Sequence, residues 1–249
     1  MNNDEKLISV EMSHTKMILV LLSSLLIFII AIYLWKQQEI DYNIAIKNNI
    51  ILENELYLLF FKFISRFGMG IISLMYSLLI FLSFRKEELK HNRALFTYII
   101  LCFAIGSISG DLLKQVIHRA RPAIELSGKI MQTEISDSSS FPSGHATKSM
   151  ALALPFVIMA LNKDSITRIF KILISLFAIL VCWSRIALQK HFLSDVLAGT
   201  AIALLFVFVA VLVVNRIYKK RHIDENSLSD QNKKLGFIFV GLAVLLCII

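Results

Sequence analysis

MILVLLSSLLIFIIAIYLW, residues 17–35, carries no charged side chain and stops against Lys36. At 1.5 Å per residue this stretch makes a helix of about 28 Å, close to the hydrocarbon thickness of a bilayer. Its apolar part is too long for a cleaved leader and no small-x-small site follows it, so it is read as a retained helix. Five more uncharged runs follow, at 67–84, 94–109, 150–161, 172–184 and 196–214. Only helices and closed barrels satisfy every backbone group in lipid, and long runs without alternation are helical. The expectation is an all-α protein, a polytopic transmembrane helical bundle of six spans. A further apolar stretch, 235–249, would make only about 22 Å of helix. A short seventh span, an interfacial helix and a truncated span all stay open for it.

Composition points the same way. The chain is 57% hydrophobic with a mean hydropathy of +0.71, more apolar than a soluble domain of 249 residues. A net charge of +8 raises nucleic acid as a partner, but the cations lie in the connections between apolar runs. There they report orientation. One set of alternate connections holds Lys6 and Lys16, then Arg85, Lys86, Lys90 and Arg93, then Lys163, Arg168 and Lys171. After the last span come Arg216, Lys219, Lys220, Arg221, Lys233 and Lys234. Together they are most of the 26 basic residues, which makes that face and the N-terminus cytoplasmic. The expected partner is the bilayer, with no nucleic acid.

Cys102, Cys182 and Cys247 each sit inside an apolar run, with no CxxC or Cys/His cluster. They read as small buried hydrophobes, and neither a disulfide nor a zinc site is expected. No repeat or low-complexity linker divides the chain, so 1–249 is expected to be a single membrane domain. Residues 36–66 have the mixed polarity of a helix lying in the interface. Residues 216–234 read as a solvated, charged connection leading into the terminal apolar segment. Gly106 and Gly110 form a small-xxx-small pair suited to close helix packing.

Three polar clusters interrupt this pattern. Lys114-Gln-Val-Ile-His-Arg-Ala-Arg121-Pro122 ends the third run. If its helix continues to the proline, Lys114 and Arg121 share a face and suit a dianionic phosphate. Taken alone, the two cations read as snorkelling, the common role of Lys and Arg at helix ends. Asp111, one turn earlier, is the expected partner of Lys114. Phe141-Pro142-Ser143-Gly144-His145 precedes the fourth run. Ser143 is a candidate N-cap, the helix start is a natural anion seat, and Gly144 allows close approach of backbone to ligand. His145 then stands where a proton donor to a leaving group would work, although a capped helix with an interfacial histidine explains it about as well. Ser184-Arg185 and His191-Phe-Leu-Ser-Asp195 lie between the fifth and sixth runs. On a helix His191 and Asp195 would stack, the carboxylate holding one ring nitrogen and leaving the other nucleophilic. A surface His–Asp pair is the plain alternative, weakened by the cost of charge at the head of a membrane helix. Counting spans puts all three clusters on one face, opposite the cation-rich loops.

In this order the clusters resemble the signature of the type 2 phosphatidic acid phosphatase family, K-x6-RP, PSGH and SR-x5-H-x3-D. Lys114, Arg121, Pro122, Pro142, Ser143, Gly144, His145, Ser184, Arg185, His191 and Asp195 match every signature position. The likeness covers roughly residues 60–214, the expected phosphatase core. Arg119 and the Val-Leu-Ala-Gly199 that follows Asp195 also fit, and the segment beginning Ile40-Asp41 is loosely similar to bacterial members. The resemblance implies that His191 attacks phosphorus to form a phosphohistidine, that Asp195 orients it and that His145 protonates the leaving oxygen. It implies that Lys114, Arg121, Arg185, Ser143 and the Gly144 N–H hold the phosphoryl oxygens, with no metal or cofactor. The expected activity is hydrolysis of a phosphate monoester or diphosphate on a membrane lipid, with an extracytoplasmic site in a bacterial inner membrane. Undecaprenyl diphosphate and phosphatidylglycerophosphate or phosphatidate are the leading substrates, Lys129, Lys148 and Lys190 near the mouth favouring a diphosphate. Lipid A phosphatase, lipid phosphotransferase and a lipid-binding or transport protein are the alternatives.

Overall fold

The computed structural model describes residues 10–130, 139–161, 163–220 and 224–248. Those residues form helices and connections, with no β-strand among them. Ten α-helices follow one another: α1 His14–Gln37, α2 Glu39–Lys47, α3 Asn49–Glu53, α4 Glu55–Arg85, α5 Arg93–Val116, α6 Pro122–Glu125, α7 Gly144–Met159, α8 Ser165–Ala187, α9 Leu193–Lys220 and α10 Glu225–Ile248. A 3₁₀ turn, Glu87–Asn92, joins α4 to α5.

Caps fix the helix starts. The Asn54 side chain accepts from the N–H groups of Leu56 and Tyr57 at 3.1 and 3.2 Å, and Asp164 accepts from Thr167 at 2.6 Å. Each satisfies orphan donors of a first turn.

The expectation of an all-α transmembrane bundle holds, but the span count does not transfer directly. Among the described residues five helices are long and apolar enough to cross a membrane: α1, α4, the 3₁₀ turn with α5, α8 and α9. The fourth expected run lies in α7, which has 16 residues and a proline inside it, about 24 Å of helix.

Two connections also fold differently from expectation. The expected interfacial segment 36–66 divides into the short helices α2 and α3, and its last third belongs to α4, a helix of 31 residues. The charged stretch 216–234 is mostly helical, because α9 runs on to Lys220 and α10 starts at Glu225. Within it Leu228 and Asn232 are buried, and the Asn232 amide donates to the Arg93 carbonyl at 3.2 Å. The terminal apolar run is thus the second half of a 24-residue helix. α10 lies antiparallel to α4, since Ser77 donates to Gly236 O at 3.0 Å while Arg66 donates to Cys247 O at 3.3 Å.

The bundle is built around α7, which packs against α5, α8 and α9, while α1 lies along α9 at the edge. Small residues set the spacing. A Cβ on Gly106 would sit 3.2 Å from Ala151 Cβ, tighter than ordinary contact, whereas one on Gly110 would meet Thr147 at an ordinary 3.6 Å, so of the pair Gly106 sets how closely α5 approaches α7. Buried tyrosines tie neighbours together: Tyr76 donates to Leu152 O at 2.6 Å and Tyr98 to Val207 O at 2.7 Å. The outer flank of α1 shows Ile18, Leu22, Leu25, Leu26 and Ile29 exposed, as a lipid-facing helix does. Cys102 and Cys182 are buried free thiols and Cys247 is a half-buried one.

Candidate active site

The connections gather at two ends of the bundle. At one end meet the close of α5, the segment 117–121, the starts of α7 and α9, the close of α8, and α2. This end collects every residue of the three motifs.

The start of α7 is held in place by α9. Ser143 caps α7, its hydroxyl accepting from Ala146 N at 3.4 Å, as the motif predicts. The Ser143 N–H in turn donates to the Asp195 carbonyl at 3.0 Å. That approach requires Gly199, where an added Cβ would fall 2.7 Å from Ser143 O and 2.9 Å from Thr147 Oγ1. At Gly144 an added Cβ would lie 3.5 Å from Lys114 Nζ, so the lysine ammonium reaches the helix N-terminus.

The first motif is not one continuous helix. α5 ends at Val116, and Ile117 leaves it in an extended conformation, so Lys114 and Arg121 do not share a helical face. A non-helical segment carries Arg121 back over the site, where its guanidinium donates to the Lys190 carbonyl at 3.0 Å. Burial lowers the Arg121 pKa from its ordinary value, with the charge of Asp195 acting against it. Asp111 ion-pairs with Lys148 of α7 at 3.4 Å, and its charge also acts on Lys114, its expected partner, without an ion pair between them.

The histidine–aspartate pair also departs from the expected stacking. His191 precedes α9, in a turn that includes Gln189 at φ 55°. The buried imidazole places Nδ1 2.7 Å from the Ser140 carbonyl, and Nδ1 is 3.6 Å from Asp195 Oδ2. A carbonyl only accepts, so Nδ1 carries the proton and Nε2 is left as the lone-pair nitrogen. Asp195 works one step removed. Its Oδ2 accepts from the Ser140 hydroxyl and from Phe192 N at 2.8 Å, so it fixes the residue that fixes the ring.

Electrostatically the rings sit in a cationic field. His191 is held well below the usual imidazole range, first by burial, then by Arg185, Arg121 and Lys114, while the Ser140 bond acts the other way. His145 lies within electrostatic reach of Arg185, His191, Lys148 and Lys114. Arg185 donates through Nη1 to Ser65 of α4, and its buried Nε has no partner among the described residues. Chemically, a neutral imidazole faces a nest of three cations, a capped helix start and a second imidazole. Such a site can receive a phosphoryl group, stabilise its oxygens and supply a proton.

Sequence reasoning missed an organising layer beneath this surface. Arg119 is buried and donates to Asp195 Oδ1 at 2.7 Å, Asp41 Oδ2 at 2.9 Å and Ser194 Oγ at 2.6 Å. Phe192 and Trp35 flank its guanidinium, with ring centroids at 4.2 and 5.4 Å. Asp41 also accepts from Ser194 N at 3.0 Å. An acidic residue soon after a membrane helix, in an otherwise mixed segment, was the available signal for Asp41. Ser140 ends a serine run and carried none.

Comparison with known proteins follows the same residues. The sequence model of the PAP2 superfamily matches residues 93–219, just over half of the chain. Sphingosine-1-phosphate phosphatase 1 of Rattus norvegicus is 26% identical over 151 residues, which are 59% of this chain and 33% of that protein. The chain therefore spans about a third of the length of that curated relative. Among solved structures, the transmembrane PAP2-type phosphatidylglycerolphosphate phosphatase of Bacillus subtilis superposes with a TM-score of 0.57. It is 22% identical, and the alignment covers 79% of this chain and 96% of that one. That likeness is one of fold.

Proposed function

The chain belongs to the PAP2 superfamily, and from that premise we propose that it is a metal-independent lipid phosphatase working through a phosphohistidine. The observation that carries the reading is the His191 ring, anchored through Nδ1 to Ser140 and surrounded by Arg185, Arg121 and Lys114. Nε2 attacks phosphorus as the bond to the lipid oxygen breaks, and His145 gives its proton to that oxygen. Water then attacks phosphorus, loses a proton to His145, and breaks the P–N bond to release phosphate and neutral His191. Lys114, Arg121 and Arg185, with Ser143 and the Gly144 N–H, hold the non-reacting oxygens as charge redistributes.

In the membrane we read α1, α4, α5, α7, α8 and α9 as six spans, with 60–214 as the catalytic core and 215–249 beginning as a cytoplasmic connection. α7 crosses although it is short because its neighbours enclose it. The cation-rich connections favour a cytoplasmic N-terminus, which sets the site on the extracytoplasmic side at headgroup depth of a bacterial inner membrane.

A lipid phosphate monoester of the phosphatidylglycerophosphate or phosphatidate type is the favoured substrate. Lys148 is already paired with Asp111, so it offers less to a second phosphate than its sequence position suggests. The names of both relatives, each a phosphatase of a lipid monophosphate, are in keeping with this. Undecaprenyl diphosphate is the diphosphate to set beside it, and lipid A the further candidate. The test is phosphate release from that panel by purified protein in chelator, comparing wild type with His191→Ala and His145→Ala. Release by wild type and its loss in His191→Ala is expected; no release from any lipid, or an active His191→Ala, overturns the reading. Labelled-lipid product analysis separates hydrolysis from phosphotransfer.

A further inference from the structure

We propose that Asp41, on α2 and outside the residues matched by the superfamily, is a positioning residue whose carboxylate sets the charge and orientation of the pair Asp195–His191 through Arg119 and Ser194. The inference rests on the phosphatase reading for its kinetic test but not for its spectroscopic one. Three observations carry it. Asp41 is 1% exposed and lies in the first turn of α2, a short helix that packs against α9. It shares the Arg119 guanidinium with Asp195, 2.9 Å on its own side and 2.7 Å on the other. It also takes both the N–H and the hydroxyl of Ser194, the residue immediately before Asp195.

Charge counting shows what this does. Arg119 and Asp195 alone form a neutral pair, which leaves no net negative charge under the His191 ring. The ring becomes cationic as its Nε2 bonds to phosphorus while Nδ1 keeps its proton. Around it stand Arg185 of α8, Arg121 of the 117–121 segment, Lys114 of α5 and, within reach of those, His145 and Lys148 of α7. The arginines and lysines among these oppose a positive ring. A second carboxylate on Arg119 restores one net negative charge to the buried layer, so that Asp195 acts as an anion toward Ser140 and the ring. Of the other acids at α2, Glu39 is exposed to solvent and Glu125 is engaged by the Tyr42 hydroxyl, which burial and that hydrogen bond push up to about 12. Asp41 therefore supplies this charge.

The experiment compares wild type with Asp41→Asn, which keeps shape and the Ser194 N–H acceptor but removes the charge. Tyr42→Phe is the control, loosening the same helix without touching Arg119. In ring-¹⁵N-histidine-labelled full-length protein in nanodiscs, the His191 signal is identified by its loss in His191→Gln. The Asp41→Asn ring is expected to titrate about one pH unit lower than wild type, from one charge removed at short range in a medium of effective dielectric near 20. Tyr42→Phe is expected to leave it in place. With phosphatidate in the same nanodiscs, Asp41→Asn should lose about tenfold or more in kcat with KM nearly unchanged, and the acidic limb of the kcat profile should move down. An unmoved His191 titration in folded Asp41→Asn overturns the inference, as does an equal change in Tyr42→Phe. Absence of phosphate release by wild type from every lipid of the panel overturns the phosphatase reading alone, because the ring titration still decides Asp41.

Discussion

Replacing Gly199 by alanine tests whether the catalytic geometry depends on how closely α9 approaches the start of α7. The added methyl would lie 2.7 Å from Ser143 O, 2.9 Å from Thr147 Oγ1 and 3.1 Å from Thr147 N. Ordinary contact begins near 3.4 Å, so the two helix starts must separate by about 0.7 Å, and two of the three atoms are backbone that has no rotamer to yield. Overpacking of this kind costs about 1–3 kcal/mol. The larger effect falls on rate. His191 and Asp195 move with α9, Ser143, Gly144 and His145 move with α7, and the Ser143 N–H bond to Asp195 O spans the joint. A misplacement approaching 1 Å between reacting groups can cost about 10²-fold. Gly199→Ala should therefore fold with a Tm lowered by a few degrees and lose about 30- to 100-fold in kcat on phosphatidate, measured by phosphate release alongside thermal unfolding. Wild-type kcat in a variant with unchanged Tm would show that this contact does not set the site, and the account of Gly199 would be wrong.

Arg119→Ala leaves the carboxylates of Asp41 and Asp195 buried without their shared cation, and should destabilise the protein by about 3–5 kcal/mol in thermal or denaturant unfolding. Ser140→Ala keeps the carbonyl that holds His191 but removes the hydroxyl donated to Asp195, so kcat should fall about tenfold with the ring tautomer unchanged by ¹⁵N chemical shift. His145→Ala should lower kcat about 10²–10⁴-fold on a lipid substrate, and far less on an aryl phosphate whose leaving group needs no proton. Because the folded His191 ring holds a proton less well than an ordinary imidazole, the acidic limb of the kcat profile should fall below pH 6.5. The unfolded chain then binds the extra proton, so this histidine's contribution to stability is retained above pH 6.5 and lost as pH falls through the window beneath it.

The sequence reveals most about the apolar runs and the identities at the motif positions, since both are local properties. Residues 17–35 announce α1 by their lack of charge, and Ser143 announces the start of α7 by its capping chemistry. What stays hidden is set by distant partners. Nothing near Val116 forecasts that α5 stops there; the segment beyond it is drawn over the site by contacts such as Arg121 with Lys190 O, 69 residues away. The length of α7 is hidden for the same reason. Its neighbours α5, α8 and α9 pack against it, and in the proposed six-span arrangement that enclosure relieves it of the length a lipid-facing helix needs. Asp195 looked like the direct partner of His191 because the spacing is four, yet the ring lies outside the helix and the carboxylate reaches it through Ser140. Asp41 and Ser194 are 153 residues apart, and no local pattern couples them.

Two arginines two residues apart, Arg119 and Arg121, show how the site divides its labour. Arg119 is buried, and both of its terminal nitrogens are committed to two carboxylates and a serine hydroxyl between two aromatic rings. Its function is to collect the acidic groups of the site into one layer. That collection matters for the layer above. A carboxylate placed among Lys114, Arg121 and Arg185 would compete with the phosphate for the same donors and repel it. Held by Arg119 instead, Asp195 reaches His191 through Ser140 and Asp41 reaches Asp195 through Ser194, while in the proposed mechanism Lys114, Arg121 and Arg185 supply the positive charge for the phosphoryl oxygens. Keeping these two carboxylates on Arg119 is, in that mechanism, what lets one small site both support positive charge on an imidazole and attract negative charge to it.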